Sequence, residues 1–97
     1  MESQIIAAIE AKKLLSFTYS DLPRVVEPHV YGIQDGIAEF LGYQIQGSSS
    51  SGRLPNWRRF KVHLIQNLRI LDEEFPGRRS FPSGKHSRWD QQIAIVD

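Results

Sequence analysis

Residues 24–45 read RVVEPHVYGIQDGIAEFLGYQI, and this stretch decides the fold. Two runs rich in β-branched and aromatic residues flank the dipeptide Asp35-Gly36, which is a strong signal for a β-hairpin. The two predicted strands are Arg24–Ile33 and Ile37–Ile45. Pro28 cannot donate a hydrogen bond to a neighbouring strand, so the first strand is expected to lie at an edge or to contain a bulge.

The residues before this hairpin predict one helix and one strand. Apolar residues recur at helical spacing from Ile5 to Ile9, which predicts a helix over about residues 3–13 with Ser3 as its N-cap. Leu15–Tyr19 then alternates apolar and polar residues, as a half-buried strand does.

The residues after the hairpin predict further short strands. Trp57–Ile65 is a strand by its pattern, and Leu68–Leu71 is a short apolar run that ends at an acidic turn, Asp72–Glu74. Gly47–Gly52 holds four consecutive serines and is expected to be a mobile loop. Gln91–Val96 follows an irregular stretch and fits either a last strand or a docking tail.

One helix followed by about five short strands predicts a mainly β fold. We expect one domain over residues 1–77, made of the N-terminal helix and an Sm-like or SH3-type antiparallel barrel, and a C-terminal tail over residues 78–97. Gly42, within a predicted strand, indicates the bend that a small barrel needs at a corner.

The composition excludes several classes of protein. Ninety-seven residues are enough for one domain with one core, and the absence of cysteine excludes disulfide scaffolds, thiolate metal sites and cysteine nucleophiles. No apolar run is long enough to span a membrane, so we expect no membrane partner and a cytoplasmic location.

Positive charge is concentrated in the second half of the chain. Residues 53–88 hold nine Lys and Arg against three acidic residues, whereas residues 1–52 hold three against six. In Trp57–Ile65, alternation would place an aromatic ring and three basic side chains on one face: Trp57, Arg59, Lys61 and His63. Such a face suits phosphates and a stacked base, and the alternative is an ordinary solvated strand.

The sequence predicts neither an enzyme nor a metal or cofactor site. The three histidines are far apart and no carboxylate stands at ligand spacing, while the serine run lacks a base to activate it. Glu27 lies within a strand and needs a cationic partner, for which Arg58 or Arg59 is the expected choice.

Four segments, in order, carry a resemblance to a known family. They are Leu15-Ser16-Phe17-Thr18-Tyr19, Arg24-Val25-Val26-Glu27-Pro28, Phe40-Leu41-Gly42-Tyr43 and Arg58-Arg59-Phe60-Lys61-Val62-His63-Leu64-Ile65. Over about residues 4–76 the chain resembles a WYL domain, whose pattern is an aromatic–Tyr strand, R-x-x-E-P, W-Y-L and R-x-F-x-x-x-R-I. The W-Y-L triplet falls on residues 39–41, which read Glu-Phe-Leu, and the second arginine of the last motif falls on Leu64.

The resemblance implies an Sm-like barrel that binds nucleic acid or a nucleotide-like ligand in bacterial transcription regulation or defence. Carried over by position, the implied ligand contacts are Tyr19, Arg24, Tyr43, Arg58 and Lys61. WYL domains usually follow a winged helix, and none precedes Ile5 here, so a separate DNA-binding regulator or a helicase is the expected partner. The alternative hypothesis is a protein-interaction or homo-oligomerisation module that associates through strand edges.

Overall fold

The computed structural model describes residues 1–48, 53–79 and 88–97, and over these residues it contains one α-helix and six strands. They are α1 (Glu2–Ala11), β1 (Lys13–Tyr19), β2 (Leu22–Gln34), β3 (Ile37–Gly47), β4 (Asn56–Lys61), β5 (Gln66–Glu74) and β6 (Gln91–Ile95), with a 3-10 turn at Val62–Leu64. Most of the predicted loop Gly47–Gly52 and of the irregular stretch before β6 lies outside the described residues.

All six strands belong to one antiparallel sheet. Hydrogen-bonded neighbours follow the order β4-β3-β2-β1-β5, and β6 pairs with β2. The first part of β2 pairs with β1 and its second part, Val30–Ile33, pairs with β6, so two strands share one edge of β2. The prediction of a mainly β, antiparallel fold after one helix is confirmed. The expected closure is not found in the described residues, because β4 and β5 stand at opposite ends of the hydrogen-bonded order.

The central hairpin forms where its turn residues predict it. Asp35 and Gly36 have φ angles of 52° and 75°, and this pair of positive values is what a two-residue hairpin turn needs. The register between β2 and β3 shifts between Pro28 and Val30, so the predicted bulge is confirmed. Opposite Pro28 lies Gly42, at which a Cβ atom would collide with the side chain of Val26.

The core lies between α1 and one face of the sheet. Ile5, Ala8 and Ile9 of the helix are buried in it. Three phenylalanines from three strands form its centre, with edge-on or tilted rings whose centroids lie 5.0–5.7 Å apart: Phe17, Phe40 and Phe60. Because these rings come from β1, β3 and β4, their packing joins three strands of the sheet in one aromatic cluster.

Three local predictions are wrong. Helix α1 begins at Glu2 and its N-cap is Met1 without a side-chain cap bond, so Ser3 is not the cap. The strand predicted over Trp57–Ile65 ends at Lys61, where the chain enters the 3-10 turn. Asp72–Glu74 is not a turn but the end of β5, because it pairs with the start of β1, where Lys13 forms a 3.2 Å salt bridge with Glu74.

The C-terminal segment docks on its own chain. Strand β6 pairs with β2, and the backbone N–H of Val96 donates to the carbonyl of His29 at 2.8 Å. Arg78 also holds the last two residues of the chain. Its backbone N–H donates to Asp97 O and its guanidinium donates to Val96 O. Residues 91–95 therefore form a last strand, one of the two roles that the sequence leaves open.

Candidate functional site

The predicted site residues divide between the two faces of the sheet. Side chains alternate along β4, so Arg58 lies on the same side as the buried Phe60, and Trp57, Arg59 and Lys61 lie on the other. We call the side that carries the phenylalanine core the core face and the opposite side the second face. The structure thus separates side chains that the sequence reading treats as one site.

Arg24, in β2, is the centre of the group on the core face. It is only 4% exposed. Its Nη1 donates to Gln44 Oε1 at 3.1 Å and its Nη2 donates to the backbone carbonyl of Tyr19 at 3.1 Å. Its Cζ lies 5.6 Å from the ring centroid of Tyr19 and 5.8 Å from that of Phe60. We name Tyr19, Arg24, Gln44, Arg58 and Phe60 the Arg24 site.

Gln44 is the part of this site that sequence reasoning missed. It is fully buried, and its Nε2 donates to the backbone carbonyls of Gln46 at 3.2 Å and Ser48 at 3.0 Å. Because both carbonyls are acceptors, the amide must turn its Nε2 toward them and its Oε1 toward Arg24. A lone glutamine in a strand carries no signal of this role, which depends on the pairing of β2 with β3.

The charge of Arg24 is balanced by neutral acceptors rather than by an acid. No carboxylate pairs with it anywhere in the described ranges, and residues 49–52 and 80–87 contain no Asp or Glu. Burial lowers the pKa of Arg24, and repulsion from the Arg58 guanidinium lowers this pKa further. The Arg24 site is therefore a region of positive potential that is recessed in the fold.

Two more predicted contacts, Lys61 and His63, lie where β4 ends. The backbone N–H of Lys61 donates to the Tyr19 hydroxyl at 3.1 Å, which ties the end of β4 to β1. The Lys61 side chain is exposed, and so is His63, which leaves the strand pattern because it lies in the 3-10 turn.

On the second face, Arg59 is engaged by an acid. Its Nε donates to Glu39 Oε1 at 2.9 Å and its Nη1 donates to the carbonyl of Arg88 at 3.0 Å. Its Cζ lies 3.8 Å from the ring centroid of Trp89, which packs against Gly32. Arg59 thus holds the C-terminal segment to the sheet.

The buried carboxylate of Glu27 has a partner that the sequence did not indicate. Arg79 forms a two-pronged ion pair with it, Nε to Oε1 at 2.6 Å and Nη2 to Oε2 at 2.9 Å. The expectation of Arg58 or Arg59 is therefore wrong. Arg79 follows β5 in the chain and reaches back over the second face, a path that no local pattern reveals.

Tyr43 and Trp57 belong to the surroundings of this ion pair. Their ring centroids lie 5.0 Å apart, and the Arg79 guanidinium lies 4.7 Å from the centroid of the Tyr43 ring. Trp57 also packs edge-on against the fully buried His29, whose Nε2 is 3.4 Å from Glu27 Oε1. Burial lowers the pKa of His29, and the hydrogen bond to Glu27 opposes this shift only in part.

The described residues include neither a metal-binding cluster nor a membrane-spanning helix. The described ranges hold no cluster of three or more side chains able to ligate a metal ion. None of the described helical residues forms a helix long and apolar enough to cross a bilayer. No family model, no curated protein and no solved structure matches the chain.

Proposed function

We propose that this protein is a WYL-like binding module that takes single-stranded nucleic acid, or another nucleotide-like anion, at the Arg24 site. One observation carries the proposal: a guanidinium that is 4% exposed has only neutral hydrogen-bond acceptors. A buried cation without a counter-charge is costly, and a bound phosphate would supply that counter-charge.

The chemistry around Arg24 suits a nucleotide. Arg58 adds a second positive charge, whose repulsion with Arg24 would be relieved by an anion bound at both. Arg24 also contacts the ring of Tyr19, a half-buried aromatic residue of the type against which bases stack. Lys61 contacts Tyr19 only through its backbone N–H, and its exposed side chain adds positive charge on the second face, outside the site.

The resemblance to WYL domains independently supports some of the same residues as ligand contacts. Three of its five implied contacts, Tyr19, Arg24 and Arg58, belong to the Arg24 site, whereas the side chains of Tyr43 and Lys61 lie on the second face. The proposal includes an opened Sm-like barrel, because β4 and β5 stand at the ends of the strand order and one short turn joins them. We propose a role as a binding module, not an enzyme, that works with a separate DNA-binding regulator or a helicase.

A matched pair of charge-removing variants tests this function. Fluorescence anisotropy would follow a labelled oligothymidylate of about 12 nucleotides binding at about 50 mM and about 200 mM salt. We expect binding that weakens with salt, and about tenfold weaker binding in Arg58→Gln, since a charge-assisted hydrogen bond is lost. Arg69→Gln removes the same charge from an exposed position in β5 and is expected to bind as the wild type does.

Two results would contradict the proposed function or its location. An absence of binding at the lower salt concentration would reject the proposal. If Arg58→Gln and Arg69→Gln lose affinity equally, the binding depends only on overall charge. That result would also reject the Arg24 site as the place where the oligonucleotide binds.

A second function, self-association through β6, is favoured by one observation. Ile93 and Ile95 of this strand are 40% and 48% exposed. If β6 forms an interface between copies of the chain, light scattering will report a dimer that Ile93→Ser with Ile95→Ser converts to monomer. A monomeric wild type would dismiss this function.

A further inference from the structure

The two cations of the Arg24 site differ in depth. Arg24 is buried and Arg58 is half-buried. Two neighbours of Arg24, Gln44 and Phe60, are 0% and 1% exposed, so the guanidinium lies at the inner end of the site. A ligand group must therefore enter from the exposed side of the site to reach Arg24. The groups covalently bonded to it determine whether it can enter.

Arg24 also retains an unused donor. Arginine has five N–H donors, and the described contacts use Nη1 for Gln44 and Nη2 for Tyr19. Its Nε is buried and has no hydrogen-bond partner in the part of the chain that the structure describes. A buried donor without a partner is rare, and an acceptor oxygen on a ligand would satisfy it.

We infer that the group bound at Arg24 is a terminal phosphate, at the end of an oligonucleotide or on a mononucleotide, rather than an internal phosphodiester. The inference rests on the proposed function. An internal phosphodiester is joined to a sugar on both sides, so it could reach a residue 4% exposed only by bringing two nucleotides into the fold. A terminal phosphate is tethered on one side, has three free oxygens and carries a charge of about −1.5 to −2 near pH 7.

A competition experiment with the full chain tests the inference. The probe is a labelled oligothymidylate with a 5′ phosphate, and the competitors are unlabelled oligomers with a 5′ phosphate, with a 3′ phosphate and with neither. Thymidine monophosphate and thymidine complete the set and separate a mononucleotide from an oligonucleotide end. We expect terminal phosphate to improve competition by about tenfold or more, in line with charge-assisted hydrogen bonds, and thymidine not to compete.

The assignment to Arg24 is tested by a second pair of variants. Arg24→Gln should lose the discrimination between phosphorylated and unphosphorylated ends, and Arg69→Gln should retain it. If Arg24→Gln does not fold, the contrast between phosphorylated and unphosphorylated competitors on the wild type still decides whether a terminal phosphate is bound, and Gln44→Glu, which places a carboxylate beside Arg24, tests the location.

The inference and the proposed function fail in different ways. Salt-sensitive binding that is equal for phosphorylated and unphosphorylated oligomers would overturn the inference and leave the proposed function standing. Binding of none of the oligomers or nucleotides would overturn both.

Discussion

The two faces of the sheet use arginine in opposite ways. On the second face, Arg79 and Arg59 each meet a carboxylate, from Glu27 and Glu39, and the ion pairs hold the C-terminal segment in place. On the core face, Arg24 is more deeply buried than either but meets an amide and a carbonyl. Since paired cations serve structure and an uncompensated one remains able to bind an anion, the distribution of acids decides which arginines are available.

The largest expected effect is on the second face. Arg79→Ala leaves the Glu27 carboxylate, whose side chain is 4% exposed, without its cationic partner. We expect a loss of about 3 kcal/mol in the free energy of unfolding, measured by urea denaturation, because breaking a buried pair strands a charge. Arg69→Ala is the control and should change stability by less than about 0.5 kcal/mol. Equal stabilities of the two variants would mean that the ion pair does not hold the segment.

One substitution can give Arg24 the kind of partner that the arginines of the second face have. Gln44→Glu would give Arg24 the carboxylate that it lacks, at the cost of the two hydrogen bonds to Gln46 O and Ser48 O. We expect oligonucleotide affinity to fall by about tenfold while the free energy of unfolding changes by no more than about 1 kcal/mol, because the new ion pair offsets the lost bonds. Unchanged affinity in a folded Gln44→Glu protein would show that the charge of Arg24 is not used for binding.

The buried His29 makes the second face sensitive to acid. Its pKa is lower in the folded protein than the unfolded value of about 6.5, so below that pH the unfolded chain binds more protons. Stability is therefore complete above about pH 6.5 and falls as the pH decreases, by up to about 1.4 kcal/mol per pH unit. Urea denaturation from pH 7.5 to 5 should show this slope.

Two histidine variants isolate the cause. His29→Gln should remove most of the slope in this pH window, whereas His63→Gln, at an exposed position in the 3-10 turn, should retain it. A slope that persists in His29→Gln would assign it to other groups.

The smallest expected effect is that of Arg59→Gln on oligonucleotide binding. Arg59→Gln removes a cation next to Trp57 and Arg58 in sequence, but its partner is Glu39 on the second face. We expect a stability loss of about 1 kcal/mol, as for a partly exposed pair, and a change in oligonucleotide affinity of less than about twofold. A loss as large as that of Arg58→Gln would place the binding surface on both faces.

Local features of the fold follow from the sequence alone. Asp35-Gly36 predicts the hairpin, Pro28 the bulge, and the alternation from Leu15 to Tyr19 a strand, and all three form. Each depends on the backbone preferences of residues adjacent in the chain, which the sequence displays directly. The period-two reading of β4 likewise sorts Phe60 from Trp57 correctly, and it fails only beyond Lys61, where the strand ends.

The partners of the charged side chains were decided only by the tertiary structure. Glu27 meets Arg79 across 52 residues, and Arg59 meets Glu39 across 20. The orientation of Gln44 depends on carbonyls at the end of β3 and on the pairing of β2 with β3. Several arginines could have neutralised each acid equally well, because charge attraction does not depend on separation along the chain. Which one does so is fixed by the strand register and by the return of the C-terminal segment over the sheet.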